Sequence, residues 1–126
     1  KQIGRVIRYN TKYCNDKRYC SFWSLIKTGD LFGADFCYHE LPEKLDIFDL
    51  ETYKSNPMEF YVVCTDIETG KAVYKKCDKC DANDLEWMRA SASMPLASRV
   101  VEVDEYKLLD GGIADSIPLK YFKSIG

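Results

Sequence analysis

The stretch Glu59-Phe-Tyr-Val-Val-Cys-Thr65 constrains this chain more than any other. It is aromatic and β-branched, follows Pro57, and has no polar alternation, so it reads as a strand. A strand without alternation is covered on both faces, as in the centre of an α/β sheet. Residues 66–70 (Asp-Ile-Glu-Thr-Gly) read as a turn, and 71–77 as the returning strand of a hairpin. Asn83 followed by Glu86 resembles a capping box. The helix it opens carries Leu85, Met88 and Ala92 on one face and is closed by Pro95. Residues 100–103 and 106–109 form a second hairpin, turned at Asp104-Glu105. A last helix is expected from about Ile117, with Ser116 as its N-cap and Pro118 in its first turn.

Upstream of the strand the pattern is helical. Ile3, Val6, Ile7 and Tyr13 recur at helical spacing with basic residues between them, and Asn15-Asp16-Lys17 breaks the run. Phe22, Trp23, Leu25 and Ile26 form an apolar cluster that ends at Thr28-Gly29-Asp30. A short helix is expected over 31–40, stopped by Pro42, and Asp49 can cap a further turn to Ser55. The chain starts at Lys1 within the first helix and stops at Gly126 just after the last one, so both ends read as cut. Its 126 residues suit one domain.

The net charge of −2 and the absence of a basic stripe exclude a nucleic-acid partner. The local basic run Arg5, Arg8, Lys12, Lys17 and Arg18 reads as a solvated helix face and loop; peripheral contact with anionic lipid is the alternative. No apolar run approaches the roughly 20 residues that cross a bilayer. The six cysteines, Cys14, Cys20, Cys37, Cys64, Cys77 and Cys80, are irregularly spaced, and the reading is reduced thiols in a cytoplasmic protein. Cys77-Asp-Lys-Cys80 has no second pair at zinc spacing, so it reads as surface thiols. No metal and no cofactor follow. The single histidine, His39, reads as a surface or capping residue at a helix end. No serine stands in a G-x-S-x-G elbow, and no Gly-rich phosphate loop occurs.

Two stretches carry the chemistry. Leu109-Asp110-Gly111-Gly112 ends a strand on a carboxylate followed by two glycines, which can take positive φ or admit a close backbone. Strand carboxyl ends are where open α/β sheets bind ligands; Asp-Gly-Gly is also a sequence for a plain turn. Arg89-Ala-Ser91-Ala-Ser93-Met-Pro95 is a run of small residues at a helix end. Small side chains allow close backbone packing, and the functional reading places this helix end behind Asp110.

Together these two stretches resemble the C-terminal catalytic half of bacterial patatin-like phospholipases. The strand 60–65, ending in Cys-Thr-Asp before a Thr-Gly turn, fits the same family. The resemblance is strong over 57–126 and loose before that. It implies that residues 1–126 are a partial patatin-like domain, a fragment of a three-layer α/β/α fold with a mixed central sheet. It implies a lipid or other acyl ester substrate, cleaved by a Ser-Asp dyad. It maps the dyad aspartate onto Asp110, with Gly111, Gly112, Arg89, Ser91, Ser93 and Pro95 supporting it. The Gly-rich oxyanion loop and the nucleophile motif would lie upstream of Lys1. This chain alone is then expected to be inactive, and its uncovered faces and sheet edge to make it self-associate. The alternative is a non-catalytic or degenerate binding module with a thiol-rich, zinc-binding surface.

Overall fold

The computed structural model describes residues 2–126; Lys1, expected to lie within the first helix, falls outside them. The chain divides into two compact units. One takes the chain up to Asp49 together with Leu96–Arg99, and the other takes Leu50–Pro95 with Val100–Gly126.

The first unit is helical. Helix α1 spans Gln2–Thr11 and a 3-10 turn follows at Tyr13–Asn15. Helix α2 spans Phe22–Thr28. Ser21 caps it by accepting from Ser24 N, and Gly29 closes it at φ +80°. A wide π-type helix then runs over Phe36–Leu45. This corrects the expected helix over 31–40: it starts later and passes through Pro42. A proline breaks an α-helix because its ring meets the carbonyl four residues back and its N–H is missing. The wider π turn bonds five residues apart, as Asp46 N to Leu41 O does here at 2.8 Å, which moves that carbonyl away. His39 therefore sits inside a helix and not at its end.

Tyr13, Phe36 and Leu41 form this unit's core, with Tyr9, Tyr19 and Cys37 against it. The basic run is exposed apart from half-buried Arg5, as a solvated face requires, and three of its residues pair with acids. Arg8 grips Asp46 with two bonds of 2.6 Å, from Nε and Nη2, and Arg5 lies 3.5 Å from the same carboxylate. Arg18 bonds both Asp16 and Glu40. Buried Asp30 accepts from Arg99 N at 2.7 Å and pairs with its guanidinium.

The hydrogen bonds from Arg8 hold the Asp46 carboxyl below the ordinary value of 3.8. A folded-state pKa below the unfolded one stabilises the protein above the unfolded value, and that contribution is lost as pH falls through the folded one. Asp46→Asn should therefore lower the urea midpoint at about pH 5, and the gap to the unmodified chain should narrow as pH falls to about 3. A gap that widened toward acid would contradict the pairing.

The second unit holds a four-stranded antiparallel sheet in the order β2-β1-β4-β3. Strand β1 is Tyr61–Asp66, β2 is Ala72–Lys76, β3 is Val101–Val103 and β4 is Tyr106–Asp110. The apolar strand is internal, as its composition required. Helix α3, Leu50–Ser55, precedes it, and Tyr53 Oη donates to Cys77 O at the end of β2. The β1–β2 turn is held by Asp66, which accepts from Glu68 N at 3.1 Å and Thr69 Oγ1 at 2.7 Å. The β3–β4 turn puts both Asp104 and Glu105 at positive φ, the geometry that matches strand twist.

Alternation assigns the faces. Val62 and Cys64 point to one side, where Trp87, Ala90, Val101, Val103 and Leu108 complete a buried cluster. Trp87 and Ala90 belong to helix α4, Ala82–Ser91. Tyr61 and Tyr74 lie on the other side, against Tyr121 and Phe122 of helix α5, Leu119–Ile125. Helices thus cover both sheet faces.

Three sequence expectations shift here. The cap of α4 is Asp81, which accepts from Asp84 N at 2.9 Å, because Asn83 is drawn away to Asp104 at 3.1 Å. Its buried core residues are Trp87 and Ala90, with expected Met88 packed against the same cluster, while Ala92 is exposed; the largest side chain wins the core, and its Nε1 donates to Asp104 at 2.8 Å. Helix α5 has Pro118 at its N-cap and no side-chain cap, so Ser116 does not fill that role.

Candidate active site

Strand β4 delivers Asp110 to the point where the chain turns, and a 3-10 turn follows at Gly111–Ile113. Three of the residue's four polar atoms are held. Its N–H donates to Ser93 O at 2.9 Å. Its carbonyl accepts from Thr65 Oγ1 at 2.8 Å. Its carboxylate oxygen Oδ1 accepts from Gly112 N at 2.6 Å. The second carboxylate oxygen, Oδ2, has no hydrogen-bond partner among the described residues, and Asp110 is only partly buried. One oxygen is fixed and the other is available to accept a proton.

The two glycines work by close approach. Neither has positive φ, which corrects one expectation and leaves the other. A Cβ on Gly111 would stand 2.0 Å from Val63 O, in the neighbouring strand. A Cβ on Gly112 would stand 2.9 Å from Asp110 Oδ1. Glycine is needed at the first position for β1 to pass, and at the second for the carboxylate to fold back onto the turn.

The small-residue run supplies the backing. Beyond α4, buried Ser93 donates its hydroxyl to Arg89 O at 2.8 Å and offers its own carbonyl to Asp110. Small side chains let that carbonyl reach the strand end. The other members contribute less directly: the Arg89 side chain is engaged with Glu86 at 2.9 Å, Ser91 is half-buried, and Pro95 is exposed beyond the helix. No hydrogen bond links these side chains to Asp110.

Two residues of the site were not singled out from the sequence. Thr65 also receives Ala114 N at 3.2 Å, so its hydroxyl touches both ends of the turn. Tyr74 Oη donates to Asp115 Oδ2 at 2.6 Å, and Asp115 N returns to Gly111 O at 3.0 Å. The phenol is raised above its ordinary value chiefly by that bond to Asp115, so it stays protonated as a donor. A threonine beside Asp66 in a strand that must pair with β4 was the only signal available for Thr65.

Cys64 stands opposite Asp110 in the β1–β4 ladder. Burial first, then the neighbouring Cys77 and Asp110, push its thiol up to about 12. A thiol that keeps its proton is a poor nucleophile, so the sulfur beside the carboxylate is structural. Cys77 is also buried, and its thiol is likewise raised to about 12, mainly by burial. The C-x-x-C pair is thus half hidden and is not a pair of surface thiols. None of the six cysteines is in a disulfide among the described residues. Among the described residues no three His, Cys, Asp or Glu side chains gather where they could hold a metal ion. Among them, too, no helix is long and apolar enough to cross a membrane.

A carboxylate with one oxygen tied and the other open at a strand end can chemically accept or return a proton. The chain belongs to the patatin-like phospholipase family, a family of lipid acyl hydrolases: the family model matches residues 7–123. That match reaches fifty residues further upstream than the motifs that carry the sequence resemblance. Comparison with curated proteins and with solved structures finds no match.

Proposed function

We propose that Asp110 is the base of a Ser-Asp dyad that cleaves lipid acyl esters. In this reading the serine and the Gly-rich oxyanion loop come from outside residues 1–126. The four described strands are then part of a three-layer α/β/α domain with a mixed sheet. The observation that carries the reading is the open Oδ2 of Asp110, whose partner oxygen is tied to Gly112 N.

The chemistry follows from that geometry. A serine hydroxyl is a weak nucleophile until a base removes its proton. Oδ2 accepts the proton as the serine oxygen attacks the ester carbonyl, and backbone N–H groups of the oxyanion loop take up the developing charge. The C–O bond to the alcohol breaks, and Asp110 returns the proton to the leaving oxygen. Water, deprotonated by the same carboxylate, then attacks the acyl-serine carbonyl; the bond to the serine oxygen breaks, the acid leaves, and Asp110 returns the proton to the serine. Gly111 and Gly112 shape the turn, and the run through Arg89, Ser91, Ser93 and Pro95 backs it. The substrate is a lipid or other acyl ester met at a membrane surface in the cytoplasm. The outer strands β2 and β3 and the exposed Phe22, Trp23 and Ile26 favour self-association.

The purified 126-residue chain should release no nitrophenol from p-nitrophenyl butyrate above buffer, and no serine in it should react with a fluorophosphonate. Turnover by the chain alone that disappears in Asp110→Ala would overturn the assignment of the serine to another segment.

A further inference from the structure

The inference rests on Asp110 as the base and concerns what aims it. Thr65 lies in β1, paired with Leu109 of β4. Its side chain is buried. Its hydroxyl donates to Asp110 O at 2.8 Å and accepts from Ala114 N at 3.2 Å. A hydroxyl has one proton and two lone pairs, so both bonds form at once. Asp110 and Ala114 flank the 3-10 turn Gly111–Ile113, and one oxygen therefore spans the turn from end to end. Inside that span Gly112 N meets Asp110 Oδ1.

We propose that Thr65 is the positioning residue of this site: its hydroxyl sets the turn so that Gly112 fixes one carboxylate oxygen and the other stays open. Other bonds hold parts of the same turn. Ser93 O binds the Asp110 N–H, the Ala114 N–H also turns toward Gly111 O, and Tyr74 anchors Asp115. None of these joins the strand end to the far end of the turn through a single group. Valine has the shape of threonine and neither bond; serine keeps the hydroxyl and loses only the methyl.

The test is an NMR titration of the ¹⁵N-labelled 126-residue chain. An amide proton bonded to a carboxylate moves when that carboxylate ionises, and the size of the shift follows the length and angle of the bond. In the unmodified chain the Gly112 amide proton should move downfield as Asp110 loses its proton. In Thr65→Val the amplitude should fall about twofold or more, and in Thr65→Ser it should be retained. A threonine that merely stabilised the sheet would lower the melting temperature and leave the amplitude alone. An unchanged amplitude in Thr65→Val overturns the proposal, and so does a Thr65→Ser chain that loses it. Should Thr65→Val not fold, the unmodified chain still decides: a Gly112 amide that ignores Asp110 means the aimed carboxylate does not exist. This readout involves no turnover. If Asp110→Asn leaves hydrolysis intact while Gly112 titrates as described, the dyad reading fails and the positioning stands.

Discussion

Asp110→Asn is expected to lower kcat for ester hydrolysis about 10³-fold in the serine-bearing hydrolase, within the range general-base catalysis supplies. The substitution is chosen for what it keeps. Asparagine has the same size, and its carbonyl oxygen can still accept from Gly112 N as Asp110 Oδ1 does at 2.6 Å. The reverse amide orientation would set two donors against each other at that contact. The turn therefore selects the rotamer that points the NH₂ group where Oδ2 stood. That group cannot take a proton from serine. KM and the melting temperature should change little. Asp110→Ala is the weaker test, because it also removes the side-chain cap of the 3-10 turn, a loss of about 1 kcal/mol for such caps. Asparagine separates base from cap. An Asp110→Asn enzyme that kept a tenth or more of the original kcat on a p-nitrophenyl ester would remove Asp110 from the chemistry.

Much of this site could be read along the chain, because its parts are local. The continuous apolar run predicted an internal strand, and β1 is one. Asp104-Glu105 predicted a tight hairpin, and both residues take the positive φ such a turn needs. The end of β4 on a carboxylate before two glycines marked Asp110. What escaped the sequence depends on pairing between distant segments. Thr65 and Asp110 are 45 residues apart and meet only through the β1–β4 register. Nothing in Cys-Thr-Asp announces that the threonine hydroxyl will reach across to a turn. Asn83 is a good cap by composition, yet Asp104, brought close by the second hairpin, takes its side chain. Pro42 stops an α-helix by rule, and only the wider helix over Phe36–Leu45 lets the chain continue. The family's reach upstream to residue 7 was also faint, because residues 14–56 hold helices and turns without a catalytic motif.

Gly111→Ala should be the most damaging single methyl in the second unit. Elsewhere, alanine in place of a glycine that its backbone permits stabilises by roughly 0.4–1 kcal/mol, through the unfolded chain. Gly111 lacks positive φ, so backbone conformation alone would forecast that gain. Packing reverses the sign. The new Cβ would stand 2.0 Å from Val63 O and 2.9 Å from Val63 Cβ. The first of these atoms is backbone in the internal strand and cannot swing aside. Either β1 or the turn must shift, at a cost of about 3 kcal/mol, the upper end for overpacking. Two other glycines calibrate the result. Gly70→Ala meets nothing within 4 Å but sits at φ +70°, so it should lose about 1–2 kcal/mol from conformation alone. Gly112→Ala meets a side-chain oxygen, Asp110 Oδ1, at 2.9 Å. That carboxylate can rotate, so Gly112→Ala should cost less stability than Gly111→Ala and more hydrolysis than Gly70→Ala. Urea midpoints of the three variants give the order directly. If Gly111→Ala proves as stable as the unmodified chain, β1 does not pass against the turn at that distance. The close contact that ties Asp110 to the sheet would then be absent in solution.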